Sequence, residues 1–324
     1  MYKRINKKSL GKLIVCGSLT LTTITGAGCS IYATESEYLS RYPIFGTQKV
    51  KDNLAYWGGD ERYITQYNGD DYQTSDLVYH FTALNRPITV GIYKSFDENY
   101  KQQFKYVFDY LNDIFAVINP DYKFEISSKF IDLCDIRITP ACLHEDDKSI
   151  VAMATKPYTE DLSLYNIESA DIKVNVKYKF SDAELRMILM HEMMHVLLCS
   201  RDINEHESQT TSLYNYNDIY CICRDIEAND SVPKDWVSLM PVDLSTFISL
   251  YGDSSTIENR TAYRTLIDKT LNECRSYLGD QFWYKEGFTL PSPEEEVSSA
   301  SNEIQYTNCN YSNSSYDFEE EAEI

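Results

Sequence analysis

The chain has 324 residues, 43% of them hydrophobic, enough for one large domain or two ordinary ones with a sizeable core. Fifty acidic against 30 basic residues give a formal charge of −20, which argues against a broad nucleic-acid-binding face and against electrostatic adsorption to anionic lipid. Twenty-seven tyrosines stand against five histidines, and three of those histidines fall between His191 and His206.

The charge is unevenly spread. Residues 1–28 carry Lys3, Arg4, Lys7, Lys8 and Lys12 and no acid, followed by an apolar and small-residue run from Leu13 to Ala27. A basic start, a short apolar stretch and small residues before a cleavage point read as an export signal, too short and threonine-rich for a spanning helix. The string Gly26-Ala27-Gly28-Cys29 resembles a bacterial lipoprotein signal, although Gly26 stands where a leucine or similar residue is usual. That resemblance implies a lipid on Cys29 and a protein held on the extracellular face of the bacterial membrane; soluble secretion is the alternative. Cleavage there removes five bases and takes the charge from −20 to −25. Seven cysteines then remain besides Cys29, and none forms a paired C-x2-C zinc pattern. Cys134 with Cys142 reads either as a local bridge or as two buried thiols.

Residues 29–85 form a tether and an irregular extension, rich in turn signals such as Trp57-Gly58-Gly59-Asp60 and Asn68-Gly69-Asp70. From Ile88 the pattern sharpens. Ile88, Val90 and Ile92 alternate as a strand. Phe104, Val107, Phe108, Leu111, Ile114, Phe115 and Ile118 recur at helical spacing, and Asn119-Pro120 ends that helix. Further strands are expected at Phe124 and Ile126, at Ile136 and Ile138, over 149–155, and at Ile172, Val174 and Val176. Ser181-Asp182-Ala183-Glu184 is a capping box opening a helix to about Leu198. The order favours an α+β fold with an α/β-like upper part, a mixed twisted sheet packed on one central helix, in a domain spanning 86–275. Residues 276–324 read as an acidic flexible tail, with nine acids and no base from Glu294 onward.

That central helix carries His191-Glu192-Met193-Met194-His195. Residues four apart share one helix face, so both imidazoles can meet one Zn2+ while Glu192 addresses a metal-bound water as general base. Zinc lowers the water's pKa, and the carboxylate passes its proton to the leaving amine. Met193 and Met194 read as packing residues. A third ligand is needed; Asp202, Glu205, His206 and Glu207 are the nearby sources.

The stretch from His191 to Asp202 resembles the metzincin metallopeptidases, particularly matrixin-like and bacterial members. Their signature runs HExxHxxGxx and then His or Asp, but Leu198 stands at the glycine and Arg201 at the third ligand. A one-residue insertion makes Asp202 the third ligand implied by the resemblance, with His206 the alternative. Ser212-Leu213-Tyr214 resembles the turn beneath the metal, with Leu213 at the usual methionine and Tyr214 beside the metal or an oxyanion; Ser238-Leu239-Met240-Pro241 is the competing alignment. The resemblance implies a final helix from about Leu239 to Gly252, and a substrate-binding sheet edge near Ser149–Lys156. The expectation is a monomeric zinc-dependent endopeptidase holding one catalytic zinc and acting on extracellular proteins or peptides. The alternatives are a catalytically inactive zincin-like surface binding protein, or a zincin with a glutamate third ligand from Glu205, Glu207 or Glu227.

Overall fold

The computed structural model describes residues 47–59, 80–81, 86–127, 130–141, 150–154, 166–167, 169–198, 216–279 and 288–297. The chain divides into two units, Met1–Pro43 and Ile44–Ile324, and every described residue belongs to the second. Its elements in order are α1 (Thr47–Trp57), β1 (His80–Phe81), β2 (Ile88–Ile92), α2 (Glu98–Ile118), β3 (Phe124–Ser127), β4 (Ile136–Ala141), β5 (Ala152–Ala154), β6 (Asn166–Ile167), β7 (Ala170–Asn175), α3 (Asp182–Leu198), α4 (Tyr216–Ala228), α5 (Pro241–Tyr251) and α6 (Ile257–Leu278). No described helix is long and apolar enough to cross a membrane.

The main sheet has the order β3-β2-β4-β7-β5. Four strands run parallel, and β5 alone runs antiparallel, against β7. A separate parallel pair joins β1 to β6. This is a mixed sheet packed against several helices, an α+β fold. The paired residues sort the sheet into two faces. Ile88, Val90, Phe124, Ile136, Ile138, Ile172 and Val174 occupy one face, and all are buried. Phe124 meets Phe108 and Phe115 of α2 there, so this face is the core. The opposite face carries Thr89, Gly91, Arg137, Asp171 and Lys173, and Arg137 pairs with Asp171 at 2.6 Å. Parallel strands usually bury both faces under helices. Here the clean apolar–polar alternation, most legible in Ile172-Lys173-Val174, marks a sheet with one apolar, buried face and one polar face.

The β3–β4 connection crosses β2 on that second face. A single 3-10 turn, Ile131–Leu133, lies over Gly91. A Cβ added at Gly91 would sit 2.8 Å from Ile131 Cγ1 and 2.9 Å from Cys134 Sγ, so only glycine admits so close an approach. The crossing is pinned by Asp135. Its carboxylate accepts from both terminal nitrogens of Arg86 at 2.6 and 2.8 Å, and from the Thr89 N–H and hydroxyl at 2.7 and 2.8 Å. Burial raises the Asp135 pKa, but these donors outweigh it and hold the carboxyl below its ordinary value.

At the other end of the core, α5 is buried along its whole length. Pro241 opens it without an orphan N–H to satisfy, and Asp243 accepts from the Met240 N–H at 3.3 Å. The turn signals of residues 29–85 do not announce α1. It docks on α5 through Asn53, which donates to the Ser249 carbonyl at 3.4 Å, and reaches the α5–α6 connection through Trp57, which donates to Ser254 Oγ at 3.1 Å. Residues 288–297 strap α1 to α6. Tyr56 donates to the Ser292 carbonyl at 3.1 Å, and Arg260 donates to the Pro293 carbonyl at 2.6 Å.

Two outcomes test this construction. Gly91→Ala is expected to lower the unfolding free energy by about 1–3 kcal/mol, because a packed neighbour must move; denaturant melts read it directly. Asp135→Ala is expected to cost about 2–4 kcal/mol at neutral pH, since it strips partners from the Thr89 N–H and from Arg86. A depressed carboxyl stabilises above its unfolded pKa and loses that contribution as pH falls through the folded value. The gap between wild type and variant should therefore close on acidification below about pH 4.

Candidate functional site

The capping box of α3 forms as its sequence dictates. The Glu184 N–H donates to Ser181 Oγ at 3.2 Å, and the Ser181 N–H donates to the Glu184 carboxylate at 2.7 Å. The helix then runs unbroken to Leu198 and is buried on nearly all sides, from Ala183 through Leu198. A helix apolar all round belongs in the interior, and its neighbours are α2, α4 and β5.

His191, Glu192 and His195 occupy the carboxyl half of α3. His191 is 9% exposed and Glu192 4%, while His195 is half-buried. One helical turn brings the imidazoles edge to face: their Nε2 atoms are 3.0 Å apart, their planes at 90°. Tyr251 of α5 donates its hydroxyl to the Leu197 carbonyl. That bond satisfies one of the carbonyls a helix leaves orphaned at its end, and it ties the last turn of α3 to α5.

Two anchors, one on this helix and one at the end of β7, carry no motif. Arg186, only 3% exposed, donates from Nε to the Trp236 carbonyl at 3.1 Å and from its terminal nitrogen to Gln103 Oε1 of α2. Burial pulls its guanidinium below the ordinary arginine value. Asn175, at the end of β7, donates to the Ile150 carbonyl at 3.1 Å and accepts from the Lys177 N–H at 3.1 Å, fixing where β5 begins. A basic residue in a helical apolar run was the only sequence trace of the first. The second had none beyond a polar residue ending an alternating strand.

Met240 belongs to a core cluster with Ala183, Met187, Cys223, Trp236 and Cys274. Ala183 and Met187 lie two turns and one turn before His191, so this cluster packs the amino half of α3. Cys134, Cys223 and Cys274 are buried free thiols, and burial pushes Cys274 up to about 12. Such thiols pack as apolar groups rather than react.

A zinc site needs three or four protein ligands. The described residues bring two imidazoles together. Among them, no group of three or more His, Cys, Asp or Glu side chains could hold a metal ion. Glu227, one glutamate considered for this role, is exposed on α4. Asp202, Glu205, His206, Glu207, Leu213, Tyr214 and Cys29 lie outside the described residues. The expectation of one catalytic Zn2+, and with it the zinc-dependent endopeptidase and its metal-activated water, is corrected on this finding: the described residues do not fit the ion. The physical reason is that helical periodicity guarantees two ligands on one face, whereas a third must be delivered by another part of the fold.

The sheet edge expected near Ser149–Lys156 is represented by β5, Ala152–Ala154, at the end of the five-stranded order. The Asn175 N–H donates to the Val151 carbonyl at 2.8 Å, which makes 151 and 175 a hydrogen-bonded antiparallel pair. Such pairs alternate along the ladder. With Met153 opposite Lys173, the backbone groups of Met153 point to β7, and those of Ala152 and Ala154 point away from it, to the side where no described strand pairs.

Removing the tie at the helix end should be measurable. Tyr251→Phe is expected to cost about 1–2 kcal/mol, the penalty for a buried carbonyl left without its donor. Amide exchange in the last turn of α3 should accelerate more than exchange in its first turn.

No protein-family model matches the chain, and no curated protein matches it.

Proposed function

We propose that the protein is a catalytically inactive, zincin-like surface protein that captures an extended protein segment along β5. The observation that carries this reading is the edge position of β5: among the described residues it is an antiparallel end strand beside α3 with no strand paired on its outer side, and the N–H and C=O groups of Ala152 and Ala154 are directed away from β7. An extended chain adds to such an edge through main-chain hydrogen bonds, with side-chain pockets supplying selectivity. The order of parallel strands, antiparallel edge strand and a His-Glu-x-x-His helix supports a metzincin-like ancestry for the scaffold. The replacements at Leu198 and Arg201, together with the two-imidazole pair, support loss of catalysis. The export signal and Cys29 support attachment to the outer face of the cell membrane by lipid.

A displayed library of extended peptides tests the reading. Binders are expected, and Ala154→Pro should weaken them at least about tenfold, because it deletes one outward donor and leaves the β7 ladder paired. Glu192→Gln should leave their affinity unchanged, and mass spectrometry should find every peptide intact. One zinc per chain with cleavage that disappears in Glu192→Gln would overturn the proposal. So would binding indifferent to Ala154→Pro in a variant that melts like wild type.

A further inference from the structure

The turn crossing Gly91 sorts its side chains by threes. The Leu133 N–H donates to the Phe130 carbonyl at 3.0 Å, and the Cys134 N–H to the Ile131 carbonyl at 2.9 Å. In a 3-10 turn, residues three apart eclipse one another. Ile131 and Cys134 therefore share the inner side, where both close on Gly91. Phe130 and Leu133 share the outer side, and they are 82% and 74% exposed. The Asp135 network clamps the base of the same crossing. Two large apolar side chains are thus held together in water by a turn that is itself packed and hydrogen-bonded.

Burying surface of that size, roughly 150–250 Å2 for the aromatic ring, falls well short of the about 800 Å2 per partner of a standard protein interface. It suits insertion into the interface of a lipid layer, where a few apolar side chains add to another attachment. Asp132, between them in the turn, is exposed, and the chain carries a charge of −20, so anionic lipid is disfavoured. We infer that Phe130 and Leu133 form a wedge that enters the surface of an uncharged phospholipid bilayer and orients the domain on it. This inference rests on the proposed surface location, but the wedge acts independently of the lipid on Cys29.

The test uses phosphatidylcholine vesicles with brominated acyl chains and the full chain, in wild-type and Cys29→Ser backgrounds. Trp emission from Phe130→Trp should be quenched beyond the quenching of the native tryptophans. Phe130→Ser with Leu133→Ser should lower vesicle binding of the Cys29→Ser chain about tenfold, at an unchanged melting temperature. Equal vesicle binding by wild type and Cys29→Ser, with Phe130→Trp still quenched, would reject the lipid anchor and support the wedge. Absence of added quenching, or vesicle binding indifferent to the serine pair, overturns it. A concentration-dependent dimer that the serine pair abolishes, with no quenching, would assign the two side chains to a second copy instead and likewise overturn it.

Discussion

The burial of α3 is the constraint on which the rest depends. A helix with apolar residues on every side cannot rest on a surface; it must be enclosed. The sheet edge, α2 and α4 supply that enclosure, and α5 holds its carboxyl end through Tyr251. Arg186 shows how strict the requirement is. A guanidinium carried into this interior must be met by fixed oxygens, and the Trp236 carbonyl and the Gln103 amide provide them. His191 and Glu192 are consequently buried in the fold, and His195 is half-buried beside them. The geometry of the imidazole pair follows from the helix alone: two rings one turn apart, Nε2 atoms 3.0 Å from each other.

The apolar face of the sheet is buried in the core, and the other face is polar. On that second face the chain relies on local devices. The Arg137–Asp171 pair occupies part of it, and the Gly91 crossing occupies another part. The glycine matters because it lowers the floor under the turn, letting Ile131 and Cys134 serve as a miniature core. The same three-residue period that turns those two inward turns Phe130 and Leu133 outward. One packing solution thus creates both the stability of the crossing and its apolar tip.

The sheet itself was legible because its alternation is unusually clean. Ile88-Thr89-Val90 and Ile172-Lys173-Val174 declare strand and face together, and the elements form where that pattern places them. The periodic apolar residues of α2 and the Ser181–Glu184 box were equally readable, since each depends on contacts within a few residues. The helix from Pro241 was legible only through a family resemblance, and α1 was not legible at all. Its packing comes from Asn53 and Trp57 reaching residues nearly 200 positions away.

The sequence by itself determined the strands of the main sheet, α2, the capped start of α3 and the placing of two histidines on one of its faces, because all of these are set by short-range periodicity. Tertiary structure alone decided the order and direction of the strands, the burial of Arg186 and the exposure of Phe130 and Leu133. It also decided the chemistry that the described residues can perform. A metal centre requires donors from separate parts of the chain to converge, and local spacing supplies only the pair that one helix can hold.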